Sequence, residues 1–371
     1  MTGSGWHGIQ IYYYDDAKDD LLLDAVRPVL ADAVAAGADR AFVTRHWLRG
    51  PHLRLAFRVP ATAFDGVIRA PATRRIGAHL RDRPSRSALT EQRLAPVHRE
   101  LAARERESGP VTPWYPDNSI RFDRPDRRLD VLGSAEAAEM LEEFHHRSGD
   151  QLFAALEAVR AGTSRLGVAL DLMLATAHAL WPDIRRGFVS FRSHAEGFIV
   201  QADDPAARRR FCEERYRAHR DEMRRRLHHV LGTVDGDGDG GDGGDRAVPF
   251  VREWVALLRT FADRARPLIA DGRIRLDAAP ADDPERARSW SASELAASPF
   301  HARLQGSGTM AALQADTGFL RFRLALNYLY LYLNRLGVRP FERFLLCHLA
   351  ARAVEERFGV SADDLVGGWA S

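Results

Sequence analysis

The chain opens on a run of aromatic and β-branched residues, Trp6 to Tyr14, closed by Asp15-Asp16. That pattern predicts a strand leading to a helix start. In Asp19 to Ala36, which carries "LLLDAVRPVLADAVAA", apolar positions recur at helical spacing, and Gly37 supplies the stop. Ala41 to Val59, "AFVTRHWLRGPHLRLAFRV", alternates as a β-hairpin. The opening therefore reads strand, helix, strand, strand over about sixty residues.

Ala61 to Glu107 is helical or irregular, and "SGPVTPWYPDNSIRF" is a loop entering a short strand, Ser119 to Phe122. From Ser134 onward the spacing is helical: Ala135–Arg147, Asp150–Ala161, Ser164–Leu180, Ile184–Gln201 and Pro205–Leu231. "VDGDGDGGDGGD" then breaks the chain, before further helices at Val248–Ala270, Ala292–Gln305, Thr317–Leu336 and Pro340–Arg357. The expected fold is α+β: a small mixed N-terminal sheet with its hairpin, and a large helical part. It is expected to form one domain over residues 1–371, with a flexible Asp/Gly loop at 234–246 inside it.

Composition narrows the function classes. With 45% hydrophobic and 28% charged residues the chain is globular, and no apolar run approaches the ~18 residues of a membrane span. The first residues show no basic stretch followed by an apolar one, so a cytoplasmic protein is expected. Net charge is +2, which gives no ground for nucleic-acid binding. Lys18 is the single lysine among 53 basic residues. A GC-rich genome accounts for that bias, and arginine is also the cation suited to bidentate carboxylate recognition.

Cys212 and Cys347 form no disulfide framework or zinc motif. Asp235, Asp237, Asp239 and Gly240 imitate the start of a calcium loop, but its twelfth position is Arg246 where a bidentate glutamate is required. Gly-x-Gly-x-x-Gly after a strand, a P-loop, His-Glu-x-x-His and Gly-x-Ser-x-Gly are all absent. No nucleotide, flavin or metal cofactor is expected.

The hairpin is unusually charged for a core element. A two-residue loop at Arg49-Gly50 would pair Leu48 with Pro51, Trp47 with His52 and Arg45 with Arg54. One face would then carry Arg45, Trp47, His52, Arg54 and Ala56, and the other Thr44, His46, Leu48, Leu53, Leu55 and Phe57. Opposed like charges favour an anion between them. A solvated face on which Trp47 covers arginine stems is the alternative, and a three-residue loop would flip the parity.

The segment Trp6 to Val59, and within it Arg45-x-Trp47 followed by Pro51-His52-Leu53-Arg54-Leu55, resembles the C-terminal-type domain of class I lanthipeptide dehydratases, which also occurs alone in thiopeptide biosynthesis. The likeness returns in "LNYLYLYLNRLGVRPFERFLLCHLAARAVEERFG". Two activities share that domain. One is a lyase that expels glutamate from glutamylated Ser/Thr. The other is a pyridine synthase that joins two dehydroalanines in a formal [4+2] cycloaddition, then releases water and the leader peptide.

The resemblance implies an Arg-x-Arg pair in the lyases, where this chain has Arg54-Leu55-Ala56, and a histidine before Asn334-Arg335, where it has Tyr330 and Tyr332. Elimination needs that base and those cations, whereas the cycloaddition is served by proton donors and positioning. "GFVSFRSHAEGFI", Gly187 to Ile199, also resembles the stand-alone synthases.

The catalytic residues expected on this basis are Tyr330, His194, Tyr328 and Arg54. Arg45, His52, Trp47, Ser190, Arg192, Asn327 and Tyr332 are expected to bind substrate. Plainer readings stand beside these. Arg192 and Glu196 are four apart and suited to pair, and the tyrosines follow a Leu326, Leu329, Leu333, Leu336 stripe and suit a core. The implied partner is a modified ribosomal precursor peptide with a leader and a dehydroalanine-containing core, and other enzymes of the same maturation can join it. The arginine-rich helix Ala207 to His229 either meets an acidic leader or is an ordinary salt-bridged surface. The lyase and a non-catalytic peptide-binding scaffold are the alternative functions.

Overall fold

The computed structural model describes residues 4–236, 247–274, 276 and 298–368. They form two compact units, 1–162 with Asn334–Gly337, and 163–333 with 338–371.

The first unit is built on four strands: β1 (Gly5–Tyr12), β2 (Arg40–His46), β3 (His52–Val59) and β4 (Ser119–Asp123), in the order β2-β3-β1-β4. Every pairing is antiparallel, where a mixed sheet was expected. β1 and β2 do run parallel, but β3 lies between them. One face carries Ile9, Ile11, Val43, Leu53, Leu55 and Phe57, all buried. Helix α1 (Arg27–Ala35, entered through a π turn at Leu21–Val26) packs against β2, and α2 (Arg69–Asp82) against β4. The unit continues through α3 (Glu91–Glu105), α4 (Ala135–Arg147) and α5 (Gly149–Arg160).

The hairpin register differs from the expected one. Thr44 pairs with Arg54, Arg45 with Leu53 and His46 with His52, leaving Trp47 to Pro51 as the loop. A two-residue loop would place Pro51 in the ladder, where it has no N–H to donate. Instead Gly50 N–H closes a turn on the Trp47 carbonyl, and Arg49 and Gly50 both take positive φ, 60° and 109°. The shift of one residue turns Arg45 onto the opposite face from Arg54 and brings His46 onto the Arg54 face.

The second unit is helical. Its central helix α6 (Arg165–Leu180) is buried along most of its length. It contacts α7 (Ile184–Val200), α8 (Pro205–Asp235), α9 (Val251–Ala270) and α13 (Pro340–Phe358). Between α9 and α13 lie α10 (Pro299–Gly306), α11 (Thr309–Ala315) and α12 (Thr317–Leu336), and α14 (Ala362–Gly368) follows. Trp254 of α9 donates through its indole to Thr176 of α6 at 2.9 Å, and Arg226 of α8 grips Asp171 of α6 through two hydrogen bonds of 2.8 and 3.0 Å.

Helix α8 runs on to Asp235 and caps on Gly236 at φ 88°, so Val234 and Asp235, expected in the flexible loop, form its last turn. Asp235 there binds His178 at 2.9 Å. Asp237, Asp239, Gly240 and Arg246 of the calcium-loop pattern lie outside the described residues, as do positions 292–297 of the helix expected at Ala292–Gln305. Among the described residues no helix is long and apolar enough to cross a membrane, and no cluster has metal-ligating composition.

Glycine positions give a paired test. At Gly187 an added Cβ would sit 2.4 Å from the Ala177 carbonyl oxygen, while at Gly232 nothing lies within 4 Å. Gly187→Ala is expected to cost about 2 kcal/mol by overpacking, whereas Gly232→Ala gains roughly 0.5 kcal/mol through the unfolded state. Urea unfolding of the two variants reads both signs.

Candidate active site

Two polar clusters stand out, one in each unit. In the first, the sheet face opposite the apolar one is divided. At one end Ala56 is packed with Trp6 and Phe42, whose rings meet edge to face at 5.9 Å. At the other end Arg54 Nε donates to His52 Nε2 at 3.0 Å, and His52 Nδ1–H donates to the Gly50 carbonyl at 2.8 Å, which fixes the imidazole as the Nδ1–H tautomer. Burial, then Arg54 beside it, holds the His52 pKa well below its ordinary value. Tyr12 stacks obliquely on the same ring at 4.6 Å, and burial pushes its phenol up to about 12.

His46 joins this face. Its Nδ1 accepts from Leu48 N–H and its Nε2–H donates to Glu107 at 3.1 Å. Burial drives His46 down to about 4 in spite of Glu107. Glu107 also accepts from Arg128 at 2.5 Å. Burial opposes the charge of Glu107, yet His46, Arg128 and Arg54 together hold its carboxyl below the ordinary range. Arg54 itself forms no ion pair among the described residues.

Two residues expected beside Arg54 are elsewhere. Arg45 donates through Nε to the Arg335 carbonyl at 3.0 Å and reaches Asp19 at 3.4 Å. Trp47 lies in the loop, with its indole N–H on Glu105 at 2.8 Å and its ring against His98. Both follow from the register.

In the second unit the Tyr330 hydroxyl is 2.9 Å from His194 Nδ1 and 3.6 Å from Cys347 Sγ. Three helices meet there, α7, α12 and α13. The Arg343 guanidinium covers the Tyr330 ring at 4.8 Å. Burial, with Arg343, Arg323 and His301 adding to it, pushes His194 down to about 3, so the imidazole is neutral. Burial and the neighbouring Cys347 raise the Tyr330 phenol well above its ordinary value, and burial pushes the Cys347 thiol up to about 11. The three groups form a neutral chain of donors and acceptors.

The remaining predicted residues divide. Arg192 pairs with Glu196 at 3.0 Å, one helical turn away, and Glu196 is also held by two hydrogen bonds from Arg209. Arg192, Arg209, Glu213, Arg352 and Glu355 line a polar cleft of about 410 Å³. Ser190 is half-buried and Asn327 exposed. Tyr328 and Tyr332 are buried against α9, on Phe261 at 5.9 Å and Trp254 at 4.7 Å. Sequence reasoning missed Cys347, Arg343, Glu107 and Arg128, whose roles depend on which helix or loop faces them.

The chain matches the family described as "Lantibiotic biosynthesis dehydratase C-term" over residues 6–354, and it belongs to that family. Its structure is similar to the solved "Pyridine synthase, TbtD, from thiomuracin biosynthesis", with 32% identity, a TM-score of 0.75, and coverage of 96% of this chain and 100% of that one. The crystal structure of TsrL shares the fold at 24% identity and a TM-score of 0.70, covering 98% of each chain. None of the curated proteins compared matches this chain.

The buried neutral histidines imply an acid sensitivity. In the unfolded chain a histidine protonates near its ordinary value of about 6.5, whereas folded His46 stays neutral to about 4. The unfolded state therefore binds more protons between those values, and stability falls as pH drops from 7 to 5. His46→Gln should lose about 2 kcal/mol less than the parent over that interval. Unfolding free energies at both pH values check this, and equal slopes would count against a neutral His46.

Proposed function

We propose that this protein is a thiopeptide-maturation enzyme of the pyridine-synthase type. On this reading it joins two dehydroalanines of a modified precursor peptide in a formal [4+2] cycloaddition, and water and leader are then lost. The observation that carries the reading is the half-buried Tyr330–His194 pair, in a chain 32% identical to a pyridine synthase over nearly its whole length.

Cycloaddition requires one backbone amide to pass into its imidic form. That change breaks one N–H bond and forms one O–H bond. His194 Nε2 takes the amide proton, Nδ1–H passes a proton to the Tyr330 oxygen, and the Tyr330 hydroxyl gives its own to the amide oxygen. The imidazole ends as the Nε2–H tautomer, ready to protonate the departing hydroxyl as water. A histidine that starts neutral is needed to accept that proton, and the low pKa supplies one at every physiological pH.

Arg54, desolvated and without an ion pair, serves as a contact to the peptide, with His52 orienting it. We assign Tyr328, Tyr332, Arg45 and Trp47 to packing and to holding the scaffold, and Arg192 to the ion-paired cleft. Ser190 and Asn327 remain candidate peptide contacts.

The lyase reading is disfavoured by Ala56. The position where the lyase pattern calls for its second arginine is buried between Trp6 and Phe42.

Incubation with a leader-bearing peptide containing two dehydroalanines should give a product lighter by water plus leader. A glutamylated peptide should keep its mass. Tyr330→Phe is expected to lower kcat by about 100-fold or more with the fold intact by circular dichroism. Loss of glutamate in place of water and leader would move the protein to the lyase class, and no change in either mass would leave the scaffold reading.

A further inference from the structure

The arginines of the second unit near this site are neutralised by carboxylates. Arg192 is 3.0 Å from Glu196, Arg209 2.6 Å from Glu196, Arg352 3.1 Å from Glu213 and 2.9 Å from Glu355, and Arg220 2.7 Å from Glu356. Arg343 differs from these. It is half-buried on α13, its guanidinium lies 4.8 Å from the Tyr330 ring centre and 5.0 Å from that of Phe344, and it forms no ion pair among the described residues.

A partly desolvated guanidinium set against two ring faces among the described residues is electrostatically incomplete. Ring faces return less to such a cation than a carboxylate would at the same burial. Its five N–H groups remain available to an oxygen that carries charge. The tyrosine it covers carries the hydroxyl that is 2.9 Å from His194 Nδ1.

We propose that Arg343 is a further catalytic residue of this site, its guanidinium meeting the peptide oxygen that gains negative charge as the amide loses its N–H proton. This rests on the pyridine-synthase reading and adds to it the group that stabilises the charge. The electron pair of the N–H bond moves into the O–C–N system, the oxygen carries the charge beside Arg343, and the Tyr330 hydroxyl then protonates it. Preorganised cations of this kind act because they need no reorientation when the charge appears. Arg343 is also among the groups that keep His194 unprotonated, together with Arg323 and His301, while Tyr330 and Cys347 complete the surroundings.

The informative variant is Arg343→Met, which keeps an apolar stem over both rings and removes the charge. It is expected to lower kcat by about 100-fold with KM within about 3-fold, and Arg343→Lys to recover part of the loss. A folded Arg343→Met with the parent kcat, or with a raised KM alone, overturns the proposal.

A second measurement does not need turnover. Phenylglyoxal labelling of the parent protein, mapped by peptide mass, should show Arg343 modified when free and protected by a precursor peptide carrying serine in place of both dehydroalanines. Undiminished labelling at Arg343 with that peptide bound also overturns the proposal. If the parent fails to convert the dehydroalanine peptide while Arg343 is still protected, the pyridine-synthase reading falls and the contact stands.

Discussion

The first unit depends on a buried cation, Arg335, which ties a late helix to the sheet. Only 2% exposed, it places Nε on the Val43 carbonyl at 2.8 Å and a terminal nitrogen on the Ser148 hydroxyl at 2.7 Å. Val43 lies on β2, an edge strand of the sheet. The Arg335 main-chain oxygen in turn receives Arg45. Burying a guanidinium is costly, and these hydrogen bonds offset part of that cost. Residues Asn334–Gly337, far along the chain, are thereby part of the unit formed by the first 162. The edge strand is covered by side chains and exposes less of its backbone to stray pairing.

The distribution of charge divides the arginines into two groups. Arg226 on Asp171, Arg209 on Glu196 and Arg128 on Glu107 are paired inside the protein, and their geometry accounts for them. Arg54 and Arg343 have no such carboxylate among the described residues. The arginine bias of the sequence, which admits an explanation from coding alone, thus conceals a small set of cations with unfinished electrostatics. Each lies beside a neutral histidine or a neutral tyrosine, so proton donors and positive charge sit together.

Much of the helical part was legible because long amphipathic stretches with strong stops leave little ambiguity. Ala135–Arg147 and Thr317–Leu336 have the expected limits, and Ile184–Val200 ends one residue short. The hairpin was legible as a hairpin but not in register. Loop length there is decided by the missing N–H of Pro51 and the positive φ of Arg49 and Gly50, local facts that apolar alternation does not report. One residue of slip was enough to exchange Arg45 for His46 on the face beside Arg54. At the second cluster the periodicity placed Tyr330 apart from Tyr328 and Tyr332, and the two flanking tyrosines do face α9. Cys347 and Arg343 carried no signal, since their significance arises only when α13 lies against α7 and α12.

The packing of Ala56 has a consequence for how this fold changes occupation. With 4% exposure, and Trp6 and Phe42 against it, the position admits no longer side chain without evicting an aromatic ring. A descendant seeking a second guanidinium at that point would have to hollow out its neighbourhood first, passing through an intermediate that has lost its packing and gained no charge. The methyl group of a single alanine thereby acts as an evolutionary ratchet.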